Sequence, residues 1–343
     1  MTIEKQLFGS LPGGMEVHKY ILKNHHGMEV EIINYGAIIT AIRVPDMNNE
    51  PGDVVLGFDS LEKYLGDHPY FGAMVGRVCN RVGKAQFELD GKIYHITSNE
   101  GENQLHGGSR GFDKQLWRAN VDKTPDQVSL KLVYESADGE EGYPGALQVE
   151  VEYSLNNLNE LGLHCRATTD KPTHVNLTNH SYFNLNNCQG TIHDHELFID
   201  GDQITELDGD SIPTGRILSV ETTPYDFRLS HSIGERMGEV EPGFDINYVL
   251  GMQSGDLARV AAVHDPASGR TMEVLTTLPG IQLYTTNHVE RIHGKGGRIY
   301  KKHSAVCLET QYFPDSANQP SFPSTVLLPG DEFSAETVYR FSK

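Results

Sequence analysis

A large antiparallel β-sandwich with few short helices is the fold this sequence predicts. Three observations carry that expectation. Apolar and polar residues alternate with a period of two over several stretches, the pattern of half-buried strands. Turn-forming residues, among them 35 Gly and 16 Pro, interrupt the chain at short intervals. Strand-like segments are not interleaved with long helical ones, which disfavours a parallel α/β sheet.

Taken along the chain, each element has a local reason. Phe58 to Leu65 reads as a short helix. Gln86 to Leu89 and Lys92 to Ile96 flank Asp90-Gly91, the turn chemistry of a tight hairpin. Val128, Leu130 and Leu132 alternate with Ser129 and Lys131, and Ala146 to Ser154 repeats that pattern. Leu161, Leu163 and Cys165 continue it beyond the Asn156-Asn157 turn. Asn176 to Leu185, if extended, puts Thr178, His180 and Tyr182 on one face and Leu177, Asn179, Ser181 and Phe183 on the other. Ser230 to Met237 suits a short helix capped by Ser230. Met272 to Val274 and Ile281 to Tyr284 read as further strands. No repeat, linker or low-complexity tract divides the chain, so residues 1–343 are expected to form one domain.

Composition narrows the function. Asp and Glu number 47 against 28 Lys and Arg, a net charge of −19. Nucleic acid and anionic membrane surfaces are poor partners for such a chain, whereas a neutral or cationic small ligand is compatible with it. No apolar run approaches the length of a membrane span. The N-terminus, Met1 to Gln6, lacks an apolar leader core, which suggests a cytoplasmic protein. Cys79, Cys165, Cys188 and Cys307 are scattered without a CxxC pair, so neither a disulfide framework nor a structural zinc site is expected.

Five polar clusters could carry chemistry. Gly76 to Gly83 supplies Asn80 and Arg81 between glycines, without phosphate-loop spacing. His106 stands beside Gly107-Gly108. His180 and Tyr182 share a polar strand face that makes poor core. Asp245 is flanked by apolar residues, and its burial would demand partners. Glu309 lies in the uncharged run Ala305 to Pro314, and an acid there is costly unless paired or functional. His193 and His195 would share one face of a strand, but no third metal ligand is near, so no metal is expected. There is no GxSxG elbow. One carboxylate, two histidines, an Arg/Asn pair and an Asp form a set suited to proton transfer on a neutral polyhydroxy ligand.

These motifs in this order resemble the aldose 1-epimerase family, and within it the galactose mutarotases. The resemblance runs from Asn34-Tyr35-Gly36-Ala37 to Leu328-Pro329-Gly330, and Leu308-Glu309-Thr310-Gln311 is its most specific segment. It implies a β-sandwich of mutarotase type and interconversion of the α and β anomers of free hexoses such as galactose and glucose. By resemblance Glu309 is the catalytic base and His180 the catalytic acid. His106 and Arg81 would contact the sugar near the reacting ring, with Asn80, Asp245, Gln282 and Tyr182 also at the sugar. No cofactor is implied; the partner is a free aldohexose, and the chain a monomer or homodimer. A non-catalytic sugar-binding module stays open, as does a glycoside hydrolase using Asp245 and Glu309. His180 must stay protonated near neutrality, which nearby carboxylates would favour, while Arg81 would hold Glu309 ionised.

Overall fold

The computed structural model describes residues 1–251 and 255–343. Period-two alternation is realised as one long antiparallel sheet of nine strands. In spatial order these are Arg118–Lys123, Gln127–Ser136, Leu147–Asn156, Glu160–Thr169, Phe333–Ser342, Thr271–Thr276, Ala258–His264, Glu196–Ile199 and His231–Ser232. The C-terminal strand Phe333–Ser342 is the link. It pairs with Glu160–Thr169 on one side and with Thr271–Thr276 on the other. Two five-stranded sheets and five two-stranded ladders make up the rest of the sheet structure among the described residues. One five-stranded sheet runs from Thr2–Ser10 to Pro51–Asp53, and the other joins Pro213–Ser219, Gln203–Leu207, Asp245–Val249, Gly280–Tyr284 and Cys307–Gln311.

A single apolar cluster draws on all three sheets, including Ile39 and Ile42, Leu130 and Val151, and Ile281 and Leu308. This is the sandwich that the alternation predicts. Each such buried side chain contributes about 1.5–3 kcal/mol. The Asp90-Gly91 hairpin also forms as expected, with both residues at positive φ, 52° and 72°. The helices are shorter than the sequence suggests. The first spans Leu61–Tyr64 and the second Ile233–Met237. Ser232, not Ser230, caps the second by accepting from the Glu235 amide.

Register in the last sheet determines where chemistry can sit. Ile246, Ile281, Leu283 and Leu308 point into the main core. Their neighbours must therefore point to the opposite face. That face carries Asp245, Asn247, Gln282, Tyr284, Cys307 and Glu309. Across the strands, Asn247 stands opposite Gln282, and Gln282 opposite Glu309. A buried polar row is thus imposed by the same alternation that builds the core.

Candidate active site

The polar row meets a second polar group brought by short ladders. Arg81–Val82 pairs with Gln104–Leu105. The ladder ends in two residues at positive φ, Asn80 at 59° and His106 at 53°. His106 donates its amide to the Asn80 carbonyl at 3.0 Å. The Asn80 amide in return donates to Nδ1 of the His106 ring at 3.1 Å. His180 is held through its backbone, which donates to the Ala73 carbonyl and accepts from the Gly72 amide. Asn179, facing away, donates to the Gly72 carbonyl and accepts from the Ser181 hydroxyl. The predicted alternation over Asn176 to Leu185 therefore holds, although only Thr178–Asn179 forms a regular ladder. Leu177 and Phe183 enter the main core, while Tyr182 packs in a second cluster.

A cavity of 140 Å³ lies where these groups converge. Asn80, Arg81, His106, His180, Tyr182, Asp245 and Glu309 all line it. Gln282 does not. It lies behind the wall, donating to Asp245 Oδ1 at 2.6 Å, so its contact is with the carboxylate. Sequence reasoning missed Pro69, Tyr70, Glu100, Leu105, Tyr284 and His288, which also line the space. Tyr70 has a positive φ of 57° in the turn after Pro69, a conformation no local pattern announces. Glu100 carried one signal: it lies just before the Asn103-Gln104-Leu105-His106 run.

The two histidine rings and Glu309 are in close company. The His180 ring is parallel to Tyr182 at 4.9 Å and to Tyr70 at 6.1 Å. It meets His106 edge-on at 5.0 Å. His180 Nε2 is 3.7 Å from Glu309 Oε1. Two buried atoms here have no hydrogen-bond partner among the described residues, His180 Nδ1 and Glu309 Oε2. Leaving such a group unpaired costs about 1–3 kcal/mol.

Burial governs the ionisation of the pair and overturns the expectation drawn from charge alone. It pushes the His180 imidazole down to about 3. Glu309 is raised well above the ordinary carboxylate range, by burial first and by the neighbouring Asp245 second, with Arg81 opposing. Arg81 opposes that rise without cancelling it, its charge being shared with other carboxylates. Its guanidinium grips both oxygens of Glu100, at 2.7 and 2.9 Å, and lies 3.7 Å from Asp245. Burial likewise raises Asp245, against Arg81. Burial thus favours the uncharged form of both members of the pair.

The His193/His195 pair is not on a strand face. Both precede the strand Glu196–Ile199, in a turn. His193 meets His303 at 3.2 Å, whereas His195 is buried and accepts from the Leu185 amide. A larger cavity of 730 Å³ shares Glu100 with the site and is rimmed by Glu102, Asp208 and Asp210. It contains none of the unpartnered buried groups.

This fold and this cluster can be set beside known proteins. Residues 18–340 match the family model described as aldose 1-epimerase. The chain belongs to the aldose 1-epimerase family. A galactose mutarotase from Rattus norvegicus is 46% identical over 347 residues, covering 100% of this chain and 99% of that protein. An aldose 1-epimerase from Escherichia coli (strain K12) is 34% identical, covering 96% of each. The crystal structure of an aldose epimerase homologue from C. elegans superposes with a TM-score of 0.87 at 32% identity. It covers 94% of this chain and 98% of that one. The mutarotase-type sandwich implied by the sequence motifs is thus the fold of this epimerase.

Proposed function

We propose that this aldose 1-epimerase interconverts the α and β anomers of free aldohexoses such as galactose and glucose, with Glu309 and His180 as its proton-transfer pair. The single observation that supports these roles best is the pair itself: two buried groups 3.7 Å apart, each with an atom left without a partner. A sugar supplies those partners. Its hydroxyls donate to Glu309 and favour the carboxylate, and the proton passes to His180. Glu309 then takes the proton of the anomeric hydroxyl. The electron pair of that O–H bond becomes the new carbonyl bond at C1, the C1–O5 bond breaks, and His180 gives its proton to O5. Rotation about C1–C2 presents the other carbonyl face, and the reverse steps close the ring. Each positioned proton transfer is worth roughly 10²–10⁴ in rate. Electrons and hydride stay on the sugar, so the reaction needs no redox cofactor.

The remaining groups orient the ring. Asn80, Arg81, His106 and Asp245 line the cavity and offer donors and acceptors to hydroxyls, Tyr182 backs His180, and Gln282 holds Asp245. The same reading takes residues 1–343 as one domain, working as a monomer or homodimer in the cytoplasm as part of hexose metabolism. Pairing of the last strand with mid-chain strands supports the single domain. Among the described residues no helix is long and apolar enough to cross a membrane. Polarimetry on freshly dissolved α-galactose tests the activity. The protein should speed the approach to the same final rotation that buffer alone reaches. A rate no faster than buffer, or a sugar converted to a different compound, would overturn the reading.

A further inference from the structure

One ring nitrogen from each of His106 and His180 and a carboxylate oxygen of Glu309 lie within 4.8 Å of one another, all three side chains buried. Two histidines and one carboxylate are the donor set of many transition-metal sites. The backbone around His106 argues for a different use. A histidine that binds a metal through one ring nitrogen carries its proton on the other, and donates it to an oxygen. Here the other nitrogen faces a donor. The Asn80 amide points at His106 Nδ1 at 3.1 Å, so Nδ1 must offer a lone pair. The ring turned over would present a C–H to that amide and leave a buried N–H without an acceptor. The reciprocal bond from the His106 amide to the Asn80 carbonyl, with both residues at positive φ, fixes the two backbones in this arrangement.

We propose that the Asn80 backbone amide locks His106 as the neutral Nε2–H tautomer. The lock makes His106 a standing hydrogen-bond donor to the sugar and bars the His106–His180–Glu309 cluster from taking a transition-metal ion. His180 differs on the same grounds. Its Nδ1 has no partner among the described residues and its Nε2 faces Glu309, so nothing fixes its proton. The pocket thus separates its two histidines by backbone hydrogen bonding, one as a permanent donor and one free to change protonation. The donor role rests on the anomer-exchange reading above; the tautomer does not.

The full chain labelled with ¹⁵N-histidine tests the lock directly. Long-range proton–nitrogen correlation spectra report which ring nitrogen carries the proton, and loss of signals in His106→Gln assigns them. The expected result is an unprotonated Nδ1 and a protonated Nε2 at His106, unmoved by added Zn²⁺. A proton on Nδ1, or Zn²⁺-induced shifts of His106 and His180 together, would overturn the proposal. Activity gives a second arm. A glutamine amide reaches the position of Nε2 and restores a donor, whereas the shorter asparagine does not. His106→Gln should keep kcat/KM within about tenfold of wild type, and His106→Asn should lose roughly 10- to 100-fold, mainly in KM. Equal losses in the two variants would refute the donor role. A protein with the locked tautomer but no anomer exchange would refute the function and leave the lock standing.

Discussion

Two pairs of buried polar side chains stand in contrast, although unpartnered buried atoms also occur away from the pocket, at His174 and Thr205 among others. Arg77 and Arg270 are as buried as any apolar core residue, yet both are well satisfied. Arg77 donates to the Ser136 hydroxyl and to the carbonyls of Pro144 and Ala137, at 2.8–2.9 Å. Arg270 donates to the carbonyls of Val44, Leu185 and Glu50. In the pocket, His180 and Glu309 are equally buried but keep unpartnered atoms. The first pair ties loops to sheets and serves stability. On the proposed function, the second forgoes stability so that a sugar can complete it. Arg77 and Arg81, four residues apart in one motif, fall on opposite sides of this division: one ties the fold together, the other lines the cavity.

The comparison can be broken by substitution. The largest effect belongs to the pair. Glu309→Gln or His180→Asn should lower kcat by at least roughly 10²-fold with modest change in KM, while the melting temperature holds or rises. Near-normal turnover in either folded variant would remove the pair from the chemistry. Arg77→Met should do the reverse. Urea unfolding should show a loss of about 2–4 kcal/mol from the freed carbonyls, with kcat per folded molecule near wild type. Gln282→Met comes next, with kcat/KM reduced about fivefold because Asp245 loses its brace.

The smallest effect is a pH signature in stability. Burial raises the Glu309 pKa in the fold, so the fold holds that proton more tightly than the unfolded chain does. The resulting stability is complete below the unfolded carboxylate's range and fades as pH rises through the raised value. His180, pushed down to about 3, contributes the opposite way: its share is complete above about 6.5 and fades as pH falls below that. Glu309→Gln retains the His180 share but escapes the alkaline loss. Its stability advantage over wild type should therefore grow from acid to alkaline pH, and a constant gap would contradict the buried acid.

Much of the fold could be read from the chain because period-two alternation is written locally. Leu147–Asn156 and the Asp90-Gly91 hairpin appear where the pattern puts them. The pocket was legible where an acid stands in an uncharged run, as Glu309 does, and where polar residues share one strand face, as His180 and Tyr182 do. Tyr70 and His288 were missed because turns, not periodicity, carry them to the cavity. Gln282 shares a strand face with Tyr284, yet only Tyr284 reaches the cavity, since depth along a face is a matter of packing. Ionisation was the least legible property. Nearby charges can be guessed from sequence, but burial, which outweighs them at Glu309 and His180, arises only when three sheets close.

On the proposed function Glu309 and His180 act as one unit sharing a proton. A double-mutant cycle measures this directly: polarimetric kcat on α-galactose for wild type, Glu309→Gln, His180→Asn and the double variant. Groups that act as a unit are strongly non-additive. The double variant should be about as slow as the slower single one. Losses that multiply, each residue acting independently of the other, would contradict it.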